Sequence, residues 1–215
     1  MSKTQYDVDI CIIGAGAGGL SIAYGASHLG RSVVLFEAEE MGGDCLNYGC
    51  VPSKALISAA KYAHAQGAGG KLGIRPKKPS VDFPKVKAHI QGVIDTIAPV
   101  DSQERYEGFG VTVIREHARF KDKKTVESAT TEVKAKRFIV ATGSRASAPP
   151  IPGLDKVPFL TNETVFQMEE QPEHLLVIGA GPIGLELGQS FRRLGSEVTI
   201  VDICLLYTSP SPRDA

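Results

Sequence analysis

The chain has 215 residues, enough for one large domain or two small ones, and its 24 basic and 24 acidic side chains cancel, leaving no electrostatic footprint for nucleic acid or an anionic membrane. A composition of 42% hydrophobic and 22% charged residues excludes a disordered chain. No apolar run approaches the ~20 residues of a membrane span, and Met1–Asp7 is too polar for a signal peptide, so a cytoplasmic protein is expected.

Val8–Gly14 reads as a short apolar strand. Gly14-Ala-Gly16-Ala-Gly18-Gly19 follows and opens an Ala-rich helix ending near Leu29-Gly30; a second strand, Ser32–Phe36, leads to Glu37. The same plan returns 165 residues later: strand Leu175–Ile178, Gly179-Ala-Gly181-Pro-Ile-Gly184 opening a helix, Leu194-Gly195 closing it, and strand Glu197–Val201 leading to Asp202. The acid lies 23 residues after the first glycine in both copies. A lone G-x-G-x-x-G is weak evidence, but each copy has the strand, helix and acid that a dinucleotide-binding βαβ unit requires. Gly14 and Gly179 allow the tight turn, Gly16 and Gly181 let backbone approach a pyrophosphate, and Gly19 and Gly184 let helix pack on strand. The helix N-terminus offers N–H groups to phosphates, and Glu37 or Asp202 accepts hydrogen bonds from a ribose. The alternative is two Gly-rich turns in an ordinary α/β protein.

Between the copies, Ala55–Ala65 has helical spacing and Gly67–Pro79 reads as a loop. A helix from about Pro84 to Tyr106, bent at Pro99, comes next. Val111–Ala141 reads as a β-meander with short strands at Val111–Arg115, Arg119–Lys121, Thr125–Ser128 and Glu132–Lys134, and an apolar strand Phe138–Ala141 entering Thr142-Gly143-Ser144. The Pro-rich stretch Ala148–Gly153 marks the domain boundary: residues 1–150 form one domain, 151–203 begin a second, and 204–215 stand apart.

Four cysteines are too few for a secreted disulfide scaffold of this length. Cys45 and Cys50 are separated by four residues, with no neighbouring Cys or His pair to complete a zinc site, so no metal is expected. A disulfide at this spacing needs a distorted first helical turn, which Gly49 and the Gly42-Gly43 pair permit. Lys54 falls one turn after Cys50 on the same face. Two readings stand: a pair cycled between thiol and disulfide, and two buried reduced cysteines. Cys11 is expected in the core.

From Gly42 to Lys54 the chain resembles the pyridine nucleotide–disulfide oxidoreductases, the flavoenzyme family of dihydrolipoamide dehydrogenase, glutathione reductase and mercuric reductase; the resemblance covers residues 5–203 in order. It implies an α/β fold: a three-layer, Rossmann-like FAD-binding domain with a β-meander, followed by the first βαβ unit of a second Rossmann-like domain for NAD(P). By the same resemblance Cys50 is the thiol beside the flavin and Cys45 the thiol that meets substrate. Lys54 would lie near the reactive flavin nitrogen and pair with Glu186 in a desolvated setting. Gly43 and Ala141-Thr142-Gly143 would line the FAD site, with the backbone of Ala118 at the adenine. Asp202 favours NAD over NADP, because a carboxylate repels a 2′-phosphate.

Ser53, in Cys50-Val-Pro-Ser53-Lys54, makes this stretch look more like dihydrolipoamide dehydrogenase and mercuric reductase than glutathione reductase; Asp44 and Tyr48 resemble a mercuric-reductase-like branch, and Pro182 stands where glutathione reductases carry an aromatic gate. The implied activity is dihydrolipoamide dehydrogenase-like disulfide oxidoreduction, with mercuric reductase-like or other disulfide reduction as the alternative. A non-catalytic flavin-binding or redox-sensing fragment is a further one. Family members are roughly twice this length. The resemblance therefore implies a missing flavin-domain segment and a missing C-terminal dimerisation domain that makes the homodimer. That domain would carry a His–Glu acid–base pair, a role that His28, His64, His89, His117 and His174 do not match. The fragment alone is expected to fold poorly and to be inactive. Residues 204–215 resemble a translated sequencing adapter, against the alternative of a natural Pro/Ser-rich tail, so Cys204 is no redox or metal candidate.

Overall fold

The computed structural model describes residues 3–203. Its first strand, β1 (Thr4–Ile13), turns at Gly14 into α1 (Ala17–His28), which returns to β2 (Val33–Phe36). All four residues of β2, Val-Val-Leu-Phe, are buried, the uninterrupted apolar run of a strand covered on both faces. Helix α1 buries Gly19, Leu20, Ala23 and Ala26, one stripe at helical spacing, and stops at Gly30, whose φ of 68° lies in the left-handed region.

Two helices follow, a one-turn α2 (Gly43–Asn47) and the long α3 (Cys50–Ala68), then a short 3-10 turn at Gly69–Leu72. Helix α3 thus starts five residues before the expected Ala55 and takes in Gly67, so the loop begins later than the glycines suggest. The bent helix expected over residues 84–106 is three pieces: α4 (Phe83–Ile97), a 3-10 turn at Ala98–Asp101, and α5 (Gln103–Gly108). Pro99 sits in the first turn of the 3-10 piece, where its missing N–H costs nothing. The Ser102 hydroxyl then restarts the helix by accepting from the Arg105 N–H at 3.3 Å.

β3 (Val111–Ile114), β4 (Arg119–Asp122), β5 (Thr125–Glu127) and β6 (Thr131–Val140) complete a six-stranded sheet in the order β3-β2-β1-β6-β5-β4. The meander is therefore shorter than expected. β3 does not belong to it, because Val111–Ile114 pairs parallel with Val33–Phe36 as an edge of the parallel sheet. The two strands expected at Glu132–Lys134 and Phe138–Ala141 are one strand: β6 pairs parallel with β1 from Thr4↔Thr131 to Ile13↔Val140, and its first half also pairs antiparallel with β5. The cations that hid this continuity lie outside the core, and Lys136 reaches Asp9 of β1 at 2.7 Å.

Side chains of this sheet pack on both faces. Ile12, Leu20, Leu35 and Tyr106 anchor one cluster, and Cys11, Val34, Phe36, Val126 and Val133 the other. Cys11 is fully buried and desolvation pushes its thiol up to about 12, the core residue its position suggested.

The chain divides into two compact units, Met1–Pro52 with Gln91–Phe166, and Ser53–Ile90 with the chain from Gln167 onward. In the second unit β7 (His174–Ile178), α6 (Pro182–Leu194) and β8 (Glu197–Val201) form the second βαβ, with β7 and β8 parallel from His174↔Glu197 to Ile178↔Val201. Helix α6 buries Gly188, Phe191 and Leu194, and Phe191 lies 6.1 Å from the ring of Phe83. Among the described residues no helix is long and apolar enough to cross a membrane.

The strand–turn–helix corners of the two copies match. Gly14 and Gly179 have φ of 105° and 107°, and each donates its N–H to the last carbonyl of the second strand, Phe36 or Val201, at 2.8 Å. A Cβ on Gly19 would meet the Gly14 carbonyl oxygen at 1.8 Å; one on Gly184 would meet that of Gly179 at 2.1 Å. The obstacle is backbone and cannot rotate away. Gly19→Ala should therefore destabilise the first unit by about 2 kcal/mol or more, lowering the thermal midpoint by several degrees, whereas Gly18→Ala, with open space around it, should leave it unchanged or raise it.

Candidate functional site

The carboxyl ends of β1, β2 and β6 open into one cavity of about 420 Å³, within the range of small-molecule sites. Its floor is the fingerprint: Ile13, Gly14 and Gly16 from the first copy, Phe36 and Glu37 from the end of β2, and Ala141-Thr142-Gly143 from the end of β6. Parallel strands pointing their carboxyl ends into a crevice is the arrangement in which open α/β sheets hold nucleotides.

Glu37 is already organised. One carboxylate oxygen accepts the Ala15 N–H at 2.6 Å and the other accepts the Glu39 N–H at 2.8 Å. Asp202 holds the second copy the same way, accepting the Ala180 N–H at 2.6 Å. Each acid fixes the turn that follows the first glycine. Gly16 holds the N-cap position of helix α1 and offers no side-chain cap, which leaves the first N–H groups of the helix for an anion.

Glu116, His117 and Ala118, between β3 and β4, form the far wall. Glu116 pins that loop to the β5–β6 turn, its carboxylate accepting the Thr130 N–H at 3.0 Å and the Thr130 hydroxyl at 2.6 Å. Hydrogen bonds from Ser128 and Thr130 hold its carboxyl down at about 2. These groups fit an adenine dinucleotide: a carboxylate for the ribose diol, uncapped helical N–H groups for the diphosphate, and a fixed backbone loop for the base. The donor set therefore suits FAD, which the resemblance assigns to this copy.

The thiol segment is laid directly on this fingerprint. Gly42 donates to the Ala15 carbonyl at 2.9 Å and bridges Gly16, while a Cβ on Gly43 (φ 56°) would meet the Gly16 Cα at 2.7 Å. Backbone touches backbone here, so α2 starts against the turn. Cys45 lies in α2 and Cys50 opens α3, with Tyr48-Gly49 between. A Cβ on Gly49 would meet an Asp44 carboxylate oxygen at 2.8 Å and the Asp44 carbonyl at 3.0 Å, so glycine is what lets the two helices join so closely. Two helices, rather than one distorted turn, bring the sulfurs together.

Cys45 is half-buried and Cys50 exposed, which disagrees with the reading of two buried cysteines. The Cys45 thiol hydrogen-bonds the Cys50 side chain. That bond, followed by desolvation and the Cys50 charge, pushes Cys45 up to about 11. Lys54 follows one turn later in α3, and its Nζ lies 2.7 Å from Glu186 Oε2 of α6. The ion pair joins the two residues the resemblance linked but is not desolvated: its side chains are 62% and 45% exposed, worth about 0–1 kcal/mol.

Of the expected site residues, Gly14, Gly16, Glu37, Gly43, Ala118, Ala141, Thr142 and Gly143 line one cavity, and Gly19 supports it from the helix side. Cys45 and Cys50 are not in its lining, though Asp44 and Tyr48 beside them are. Gly179, Gly181, Gly184 and Asp202 form the second corner in the other unit. Sequence reasoning missed Glu39, Glu116, Arg145 and Glu163, which also line the cavity. Glu39, Glu116 and Arg145 each stand two residues from an expected site residue, Glu37, Ala118 and Gly143, which is the positional signal they carried; Glu163 had none. Among the described residues no group of three or more His, Cys, Asp or Glu is placed to hold a metal. The reading of 204–215, including Cys204, lies outside the described residues.

The pattern of the pyridine nucleotide-disulphide oxidoreductases matches residues 8–209. A mercuric reductase of Streptomyces lividans is 43% identical over 210 residues, covering 93% of this chain and 44% of its own length. A dihydrolipoyl dehydrogenase of Haloferax volcanii is 36% identical over 204 residues, covering 91% of this chain and 42% of its own. Among solved structures, the Cu(II) complex of the HOCl-induced flavoprotein disulfide reductase RclA from Escherichia coli superposes with a TM-score of 0.80 at 26% identity, over 96% of this chain and 44% of that one. The chain spans less than half the length of these relatives.

Because Cys50 is the first cause of the Cys45 shift, Cys50→Ser should bring the Cys45 ionisation down from about 11 toward the ordinary thiol range. Thiolate absorbance or alkylation rate against pH measures it; an unchanged midpoint would show that the sulfurs do not interact.

Proposed function

This chain belongs to the pyridine nucleotide-disulphide oxidoreductase family, and from that premise we propose that it is the thiol-bearing part of an NAD(P)H-dependent flavin disulfide oxidoreductase of the dihydrolipoamide dehydrogenase type. The observation that carries the reading is the Cys45 thiol hydrogen-bonded to Cys50 on a segment whose backbone touches the fingerprint turn. We take residues 1–150 as the FAD-binding portion and 151–203 as the start of the nicotinamide portion.

Bound FAD would supply two-electron transfer between a nicotinamide and the thiol pair. Glu37 would hold the ribose, the N-terminus of α1 the diphosphate, and the pinned Glu116–Ala118 loop the adenine. Cys50 would face the flavin and Cys45 the substrate, with Lys54, oriented by Glu186, near the flavin ring. Toward a disulfide R–S–S–R′, the Cys45 thiol first loses its proton. Its sulfur then bonds to one substrate sulfur as the S–S bond breaks, releasing R′S⁻. Cys50, deprotonated, then attacks Cys45, forming the Cys45–Cys50 disulfide and releasing RS⁻. For a dithiol substrate the steps run in reverse. A thiol ionising near 11 needs a base at neutral pH, so Cys45 calls for an acid–base partner such as the His–Glu pair the resemblance assigns to a second subunit.

A second reading, reduction of Hg(II) to Hg(0) by the same electron pair, is favoured by the 43% identity to a mercuric reductase. Steady-state assays of the full-length gene product with NADH or NADPH, against lipoamide and against Hg(II) in excess thiol, separate the two. Cys45→Ser and Cys50→Ser should each lower turnover by roughly a thousandfold or more while FAD stays bound. Turnover retained in both variants would exclude the thiol pair from the reaction.

Cofactor choice follows from Asp202. Its carboxylate fits a free ribose diol and repels a 2′-phosphate, so kcat/KM should favour NADH over NADPH, and Asp202→Ala should shrink that preference about tenfold. A wild-type preference for NADPH would overturn the assignment.

A further inference from the structure

The cavity wall includes a segment that secondary structure does not hold. After β6 the chain leaves the sheet at Ala141, whose N–H still reaches the Ile13 carbonyl at 2.8 Å. Among the described residues, no N–H of residues 142–148 donates to a backbone carbonyl. Gly143 sits at φ 68°, in the left-handed region that glycine adopts most readily.

Side chains tie this stretch down instead. Arg145 pairs with the Glu39 carboxylate from the loop after β2, and its other terminal nitrogen lies 3.8 Å from Glu163. Arg115 holds the same loop by donating to the Glu39 carbonyl. Farther along, Asn162 Nδ2 donates to Asp44 Oδ1 at 3.1 Å. Glu39, Asp44, Arg145 and Glu163 all line the cavity, so these bonds join its walls to one another. Arg145 is the one Lys or Arg in that lining, set among Glu37, Glu39, Glu40, Asp44, Glu116 and Glu163.

We propose that residues 144–163 form a strap over the nucleotide cavity, latched by Arg145 to Glu39 and Glu163 and by Asn162 to Asp44, and that this latch sets how fast the bound dinucleotide leaves. The proposal rests on the reading of the cavity as the FAD site. Arg145 is a positioning residue in it. Its single positive charge offsets part of the repulsion between the two carboxylates and the incoming diphosphate, and it ties down the segment that follows Gly143. The Arg145–Glu39 pair is open to solvent, each side chain 64% exposed, while Glu163 is half-buried, so dissolved ions screen the first pair most.

The test is the rate of FAD release from the flavin-loaded full-length protein, followed by the rise in flavin fluorescence at low and high NaCl. Wild-type release should accelerate with salt. Arg145→Gln should speed release roughly three- to tenfold at low salt and flatten the salt dependence. Glu163→Gln and Asn162→Ala should each give a smaller increase, and Arg145→Lys should recover part of the slow rate. Thermal midpoints should stay near wild type, since these side chains bury little. Wild-type rates with wild-type salt slopes in Arg145→Gln and Glu163→Gln would overturn the latch while leaving the flavin site intact. A wild-type protein that takes up no FAD would overturn both.

Discussion

One steric fact governs the first unit: the backbone at Gly19 lies against the carbonyl of Gly14, so close that a single methyl would sit 1.8 Å from the oxygen. That contact presses α1 onto β1 and turns its first N–H groups into the crevice at the carboxyl ends of the strands. Glu37 then ties the turn to β2 through the Ala15 N–H. Each of these contacts is made within the chain. The same contact between Gly184 and Gly179, with Asp202 on Ala180, builds the second corner from the same parts.

The thiol chemistry depends on that corner at one remove. Gly42 donates to the Ala15 carbonyl, and Gly43 lies so close to Gly16 that a Cβ would meet its Cα at 2.7 Å. Helix α2 is thereby fixed to the turn, and Gly49 folds α3 back until the Cys45 and Cys50 side chains meet. A shift of the fingerprint turn would move Cys45 with it. The strap after Gly143 is the opposite case, a wall of the same cavity held by exposed side chains and therefore open to salt and substitution.

Both corners were legible because the G-x-G-x-x-G spacing and the distant acid encode local geometry: a left-handed turn, a close approach, and a carboxylate at a fixed distance along the chain. The apolar run of β2 was equally plain. β6 reads locally as two strands because Lys134, Lys136 and Arg137 interrupt its apolar pattern, and their place at the surface is known only once β1 lies alongside. Nothing local marks β3 as a parallel strand; its partner β2 lies some 75 residues away, beyond any window of periodicity. The Lys54–Glu186 pair was foreseen through resemblance, but its exposure was not, since burial depends on what packs around it.

The sequence by itself determined the two βαβ corners, the acids that tie them, and the cysteine pair on a glycine-rich segment, because each is set by backbone geometry within a few tens of residues. Tertiary structure alone decided that Cys45 belongs to one helix and Cys50 to the next, that Cys50 raises the ionisation of Cys45, and that Glu116 fixes the far wall through Thr130. It also brought Arg145 to Glu39 across 106 residues of sequence. Such contacts arise when strands distant along the chain become neighbours in a sheet, and the identity of those neighbours is a property of the packed fold.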